Sequence, residues 1–241
     1  MVYAGVLAGG TGKRMQRSDL PKQFMPLGNK SVLSHTTEQF VLNPNIDKVF
    51  VPVPADWVSY TKDLFNKESV LGYKSGKIEI IQGGVDRNLT LIAAVNRIEE
   101  LYGINPDDII VSHDAVRPFI TQRIINDNIE LCKTNCAVNT VYTLADTPVV
   151  SDDGVNVLEI PVRSRIFLGQ TPQTFNIREL KYVFASLTDE EKSILTDACK
   201  MFVIKEKAVK IVMGEGYNIK ITTPFDYSVA LMLIKGGVVP E

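Results

Sequence analysis

The chain has 241 residues, enough for one sizeable core, and its 45% hydrophobic and 22% charged content is that of an ordinary globular protein. A net charge of −2 leaves no global basic field, which argues against nucleic acid as a partner. Cys132, Cys136 and Cys199 make neither a disulfide framework nor a metal pattern, and no apolar run reaches the roughly 18 residues of a membrane span.

The chain opens directly on an apolar run, Val2–Leu7, which reads as a buried strand with no signal peptide before it. A reduced cytoplasmic compartment is the matching expectation. Gly9-Gly10-Thr11-Gly12 form a turn after this strand, followed by the cations Lys13, Arg14 and Arg17, with Lys22 behind Pro21. Glycines let backbone N–H groups close on a phosphate, and fixed cations meet its charge. The glycines alone fit a plain strand-to-helix turn equally well; the cations turn the reading toward a triphosphate. A Walker loop is excluded, because Leu7 stands where its first glycine belongs and Arg14 where its Ser/Thr belongs. A dinucleotide fingerprint is excluded too. Met15 takes its third glycine position, and no acidic residue follows about 20 residues on.

Strands and helices then alternate. Ser31–Leu42 reads as a helix with an Asn43-Pro44 stop, Lys48–Val53 as a strand, Trp57–Asn66 as a helix and Lys77–Ile81 as a strand. Asn88–Tyr102 carries Leu91, Ala94, Val95, Ile98 and Leu101 on one helical face. Asp108–Ser112 is a strand, Thr121–Cys132 a helix and Cys136–Thr143 a strand. Continuous apolar strands separated by helices predict an α/β fold, a Rossmann-like, mostly parallel sheet with helices on both faces. Ligands of such sheets bind beyond the carboxyl ends of the strands. Three signals fall there: Gly9–Arg14, Gly83–Asn88 and His113–Pro118.

After Val141 the pattern changes. Two short β-runs, Val149-Val150 and Val155–Ile160, flank Ser151-Asp152-Asp153-Gly154 and predict a hairpin within residues 144–165. Such a hairpin is either a projecting arm that packs on a second subunit or an ordinary edge hairpin. Gln170-Thr171-Pro172-Gln173 reads as the end of this segment. Helices over Ile177–Ala185 and Asp189–Phe202, strands over Ala208–Met213 and Asn218–Thr222, and a last helix to Ile234 complete the expectation of a single domain over 1–241.

The loops suggest chemistry. The first offers amides and cations to a triphosphate. The second offers Gly84, Arg87 and Thr90, a small backbone and a hydroxyl that suit a base edge. The third offers Asp114, the natural carboxylate for the Mg²⁺ that accompanies nucleotide phosphates. No Ser-His-Asp or Cys-His arrangement stands out, and His35 and His113 read as structural. The set suits nucleotidyl transfer, in which a phosphate oxygen attacks the α-phosphorus and pyrophosphate leaves. The nucleophile is already an anion, so positioning and charge neutralisation are the main tasks.

The ordered series Leu7-Ala8-Gly9-Gly10-Thr11-Gly12-x-Arg14-Met15, Pro21-Lys22-Gln23, Gly83-Gly84-x-x-Arg87, His113-Asp114-x-x-Arg117-Pro118, Thr171-Pro172-Gln173, Thr196-Asp197 and Asn218-Ile219-Lys220 resembles the sugar-alcohol phosphate cytidylyltransferases. That family holds 2-C-methyl-D-erythritol 4-phosphate cytidylyltransferase and ribitol-5-phosphate cytidylyltransferase. The resemblance implies that Arg14 and Lys22 stabilise the pentacoordinate α-phosphate. It implies that Leu7, Ala8, Gly9, Gly10, Thr11, Gly12 and Lys13 hold CTP's triphosphate. Gly84, Val85 and Thr90 would read cytosine, with Arg87 organising their loop. Asp114 would bind Mg²⁺ and a substrate hydroxyl, and Thr147, Arg163, Thr196 and Lys220 the polyol phosphate. The arm would reach a neighbouring subunit, giving a homodimer whose sites share Thr147 and Arg163 across subunits.

Departures separate the two members. The methylerythritol enzyme usually has Ala-Ala-Gly at the first turn, an acidic residue after the second Gly-Gly, and Thr-Asp-Glu-Ala. Here stand Ala8-Gly9-Gly10, Val85 and Thr196-Asp197-Ala198-Cys199. Ser18–Phe24, Gly169–Phe175 and Leu195–Lys200 look like the ribitol enzyme. The expected activity is therefore transfer from CTP to D-ribitol 5-phosphate, supplying CDP-ribitol for wall teichoic acid or capsule. Methylerythritol 4-phosphate is the alternative acceptor. A non-catalytic nucleotide binder would keep the glycines and lose the cations, yet Arg14, Lys22, Arg163 and Lys220 are all present.

Overall fold

The computed structural model describes residues 1–10 and 20–237. The first apolar run is a strand over its expected length, β1 (Val2–Leu7), and its alternate side chains go to opposite faces. Ala4 and Val6 join one apolar cluster, Tyr3 and Leu7 another. A short 3-10 turn (Lys22–Phe24) and a small hairpin, β2 (Pro26–Leu27) with β3 (Lys30–Ser31), lead into helix α1 (Val32–Leu42). Ser31 caps α1 by accepting from Ser34 N–H. Next come β4 (Lys48–Val53), α2 (Val58–Lys67), β5 (Ile78–Gln82) and α3 (Arg87–Tyr102). Asp86 caps α3 through Leu89 N–H. Strand β6 (Ile109–Asp114), α4 (Gln122–Cys132) and β7 (Ala137–Thr143) follow.

Beyond the arm run β8 (Phe167–Asn176), α5 (Ile177–Ser186), α6 (Asp189–Ser193), α7 (Cys199–Ile204), β9 (Lys210–Met213) and α8 (Pro224–Gly236). Among the described residues seven strands form one sheet in the order β5-β4-β1-β6-β8-β7-β9. Strand β8 is antiparallel to both neighbours, and every other pair in that sheet is parallel. Leu33 and Phe40 of α1, Phe65 of α2 and Ile124 of α4 cover one face. Leu91 of α3, Leu180 of α5 and Phe202 of α7 cover the other. No helix among the described residues is long and apolar enough to cross a membrane.

The structure corrects four expectations. The stretch read as the end of the hairpin segment is the inner half of a ten-residue strand, β8. Its Gln170, Thr171, Pro172, Gln173 and Thr174 are all buried, although polar residues and a proline are uncommon inside a sheet. Proline is tolerated because the β6 ladder ends at Gln173 and the β7 ladder shifts register between Asn139 and Val141. The polar side chains find partners: Gln173 Nε2 donates to Asn139 Oδ1 at 3.2 Å, and Thr174 Oγ1 to Asn128 Oδ1 at 3.2 Å.

The helix expected over Asp189–Phe202 is broken into α6 and α7. Asp197 turns its carboxylate onto Lys200 N–H at 3.0 Å, competing with a continuous helix. Asn218–Thr222 is not a strand; it is an irregular segment tied by Ile221 N–H to Val116 C=O at 2.9 Å. The hairpin between residues 144 and 165 is reduced to one antiparallel bridge, Val150 with Glu159. Val149, Val155, Val157, Leu158, Ile160 and Val162 are exposed along it.

Phe175 of β8 is fully buried and stacks on Phe202 with ring centroids 5.3 Å apart. Phe175→Ala is expected to lower unfolding free energy by about 3–5 kcal/mol, measured by urea denaturation. A loss below ~1 kcal/mol would show that β8 does not key this face to the helices.

Candidate active site

The site forms where parallel strands end side by side. Register pairs Leu7 with Asp114, so the carboxylate sits at the level where the first glycine turn begins. Ala8 N–H donates to Pro52 C=O at 3.0 Å, Ala115 N–H to Leu7 C=O at 3.0 Å, and Gly83 N–H to Val53 C=O at 2.7 Å. These bonds stitch the exits of β1, β4, β5 and β6 into one rim.

Two glycines are required by close approach. A Cβ on Gly9 would lie 2.9 Å from Thr90 Oγ1, and one on Gly84 would lie 2.5 Å from the backbone of Leu89. The two glycine loops thus meet across Thr90, whose Oγ1 is 2.6 Å from Asp86 C=O and 3.2 Å from Gly84 C=O.

Asp114 is 7% exposed. Arg87 Nε donates to Oδ1 at 3.0 Å; Lys220 Nζ at 2.9 Å and Arg117 Nε at 3.5 Å face Oδ2. Burial pushes the carboxyl pKa up, but Arg87, Lys220 and Arg117 outweigh it and hold Asp114 well below the usual carboxylate range. Asp114 is therefore a fixed anion. The structure binds its partners in turn: Arg87 Nη1 donates to Gln173 Oε1 at 3.0 Å, and Arg117 Nη1 to Asn218 C=O at 2.8 Å. Asn218 Nδ2 reaches Thr171 C=O at 2.9 Å, which fixes the segment that carries Lys220.

His113 is fully buried beside this cluster. Its Nε2 lies 3.0 Å from Arg117 C=O and must be the protonated nitrogen, leaving Nδ1 to accept from Thr171 Oγ1 at 3.0 Å. Thr171 Oγ1 in turn accepts from Asp114 N–H at 3.2 Å. Both ring nitrogens are engaged, which fits the structural reading and excludes an acid/base role. His35 Nε2 likewise bonds Leu27 C=O at 2.6 Å. Burial pushes the Cys132 thiol up to about 12 and raises Cys199, so neither is a nucleophile.

Asp114, Arg87 and Lys220 line a cleft of about 320 Å³ together with the two glycine loops. Of the residues singled out in the sequence, Leu7, Ala8, Gly9, Gly10, Lys22, Val85, Arg87, Thr90, Asp114 and Lys220 all line it. Gly84 lies behind Thr90. Thr11, Gly12, Lys13 and Arg14 lie outside the described residues. Thr147 and Thr196 do not line this cleft. Arg163 borders a separate concavity at the base of the arm and donates from Nη1 to Ala145 C=O at 2.9 Å. Gln23, Arg117, Thr171 and Gln173 were given no role from sequence. All four stand inside motifs quoted there, but only packing shows which of them face the cluster.

Among the described residues no group of three or more His, Cys, Asp or Glu could hold a metal by itself. Of the cleft carboxylates Asp86 caps α3, which leaves Asp114 for Mg²⁺. Both of its oxygens face cations, so the ion would fit there only where Lys220, the most exposed of the three, gives up Oδ2 and phosphate oxygens and water supply the other ligands.

A family model described as "IspD: 2-C-methyl-D-erythritol 4-phosphate cytidylyltransferase" matches residues 2–235. The chain belongs to this family. Its members are cytidylyltransferases, a kind of nucleotidyltransferase, and the chain is accordingly an enzyme of that class. Among solved structures it is similar to 4-diphosphocytidyl-2C-methyl-D-erythritol synthase from Anaerococcus prevotii DSM 20548, with 26% identity, TM-score 0.77, and 98% of this chain and 96% of that one covered. The 2-C-methyl-D-erythritol 4-phosphate cytidylyltransferase of Francisella tularensis is 28% identical, with TM-score 0.76 and 95% and 97% covered. The corresponding structure from Thermus thermophilus, 22% identical at TM-score 0.73 with 98% and 100% covered, shares the fold.

In this cytidylyltransferase the buried His113 gives a pH test. Burial lowers its pKa from 6.5 to about 4. Between those values the unfolded chain takes up a proton that the folded one refuses, so stability should be full above pH 6.5 and fall as pH drops toward 4. Nitrogen-15 NMR should show a neutral Nε2–H imidazole through this window. Titration near 6.5 would contradict the assigned network.

Proposed function

We propose that this chain transfers the cytidylyl group of CTP to a polyol phosphate, ribitol 5-phosphate in the reading we favour, releasing pyrophosphate. The carrying observation is the convergence of the first glycine turn, Lys22, the second glycine loop and the Asp114–Lys220 ion pair on one cleft. An oxygen of the acceptor phosphate attacks the α-phosphorus, and the bond to the bridging oxygen of pyrophosphate breaks. Arg14 and Lys22 neutralise charge at the reacting phosphorus. The turn from Leu7 to Gly12, with Lys13, holds the triphosphate. Gly84, Val85 and Thr90 face cytosine. The Thr90 hydroxyl is directed at backbone carbonyls, which leaves its oxygen to accept from an amino group.

Asp114 would hold Mg²⁺ together with phosphate oxygens, and the ion supplies charge neutralisation there. Lys220 has the most exposed side chain of Asp114's three cationic partners, 40% against 23% for Arg87 and 10% for Arg117. That freedom suits it to exchange the carboxylate for the acceptor's phosphate.

The names of the family and of its similar structures favour methylerythritol 4-phosphate, which is the second reading. Two local features support ribitol 5-phosphate. Val85, where the methylerythritol enzyme usually has an acid, is 95% exposed and offers no carboxylate. Ala198, where its glutamate usually stands, is fully buried in an apolar cluster, a place where a charge would be costly. CDP-ribitol would then serve wall teichoic acid or capsule, from the cytoplasm. The exposed apolar arm supports a homodimer in which Thr147 and Arg163 serve the neighbour's cleft.

Pyrophosphate release with CTP and Mg²⁺ is expected with ribitol 5-phosphate. Turnover with methylerythritol 4-phosphate alone would reverse the choice of acceptor. Arg14→Ala and Lys22→Ala should each lower kcat roughly 10²-fold or more. For the shared site, mixing Arg14→Ala with Arg163→Ala protein should restore part of the activity, since one hybrid site regains both residues. No recovery after verified subunit exchange would place each site within one chain.

A further inference from the structure

Gln23 stands beside Lys22 yet is only 1% exposed. Its side-chain nitrogen Nε2 donates to Ala8 C=O at 2.9 Å and to Gly10 C=O at 3.0 Å. Two carbonyls can be met only by the amide nitrogen, so the orientation of the amide follows from its partners. Ala8, Gly10 and Gln23 all border the cleft. One side chain thus joins the Lys22–Phe24 turn to the first glycine turn across 13 to 15 residues of chain.

The other side of that 3-10 turn is fixed as firmly. Phe24 is 2% exposed and stacks on Trp57 with centroids 4.9 Å apart, with Tyr60 edge-on at 5.2 Å. The turn is therefore a peg set in an aromatic socket, with Gln23 reaching out of it. In a trans peptide the C=O and the following N–H point opposite ways. Holding Ala8 C=O toward Gln23 therefore turns Gly9 N–H away from it. The contact also occupies the carbonyl oxygens of two residues that border the cleft. Left unpaired beside a polyanion, those oxygens would repel it.

We infer that Gln23 is a positioning residue for the nucleotide's phosphates: it orients the first glycine turn and neutralises two carbonyl dipoles that would otherwise face the anion. The inference rests on the nucleotide reading of the cleft, and it concerns phosphate rather than base or acceptor. Gln23→Met keeps the length of the side chain and removes the donor. Gln23→Glu replaces the donor nitrogen with oxygen and adds negative charge.

Calorimetry with CTP and with inorganic tripolyphosphate, alongside steady-state kinetics, tests this. Gln23→Met should weaken both ligands by a similar factor, roughly tenfold or more, the scale of leaving buried carbonyls unpaired, and Gln23→Glu by more. KM for the acceptor should stay within about twofold. The melting temperature should fall, because two buried carbonyls lose their donor, while the variant stays folded at the assay temperature; sparing of the acceptor is what a general structural loss would not allow. Unchanged affinity for both ligands in a folded variant overturns the inference. So does loss of CTP binding with tripolyphosphate binding retained, or an equal loss for the acceptor. A wild type that does not bind tripolyphosphate overturns it as well. Should one variant fail to fold, the other carries the same readouts. CTP binding by wild type without turnover of any polyol phosphate would defeat the proposed reaction and leave this test intact.

Discussion

A carboxylate buried at the end of a central strand is costly unless its charge is met, and Asp114 is met three times. Its partners come from three places in the chain. Arg87 opens α3, Arg117 lies in the loop after β6, and Lys220 arrives from a segment about a hundred residues later. Because each cation must face the same two oxygens, the three loops cannot shift independently. The cleft is built around this constraint, since the second glycine loop leads directly into Arg87 and the Leu7 turn lies in register with Asp114.

Strand β8 supplies the support underneath. Inserting a polar antiparallel strand into a parallel sheet brings Gln173 against Arg87 and Thr171 against His113. His113 stays neutral because burial outweighs the neighbouring carboxylate, and its two nitrogens join the Arg117 backbone to Thr171. The network that holds the charge cluster is thus itself uncharged, which avoids adding a fourth cation to an already cationic surround. Buried polar strands of this kind depend on hydrogen-bond partners, and the Asn128–Thr140–Thr174 contacts supply several of them here.

The groups proposed for nucleotide and for acceptor differ in how the chain builds them. The former lie on strand ends and on the socketed 3-10 turn before β2. The acceptor candidates Thr147, Arg163 and Thr196 sit on the arm and on the break between α6 and α7, away from the cleft of their own chain. The arm exposes a row of valines and Leu158 with little packing of its own. Its apolar surface gains stability only against another surface, and the proposed homodimer would supply one.

Much of this was legible in the residues themselves. Val2–Leu7 and Lys48–Val53 are apolar runs of strand length, and a strand buried on both faces must look like that. The glycines and cations mark phosphate chemistry because few other residues permit it. Gln170–Thr174 could not be read as a strand from pattern, since polar residues and proline are buried there only by virtue of partners far away in sequence. Gln23 looked like one more polar residue in a motif until the Ala8 and Gly10 carbonyls stood opposite it. Local periodicity and residue chemistry determined the elements and the kind of ligand. Which polar groups meet, and therefore which charges are fixed and which remain exchangeable, was decided by tertiary contacts, because a hydrogen bond depends on distance in space and not along the chain.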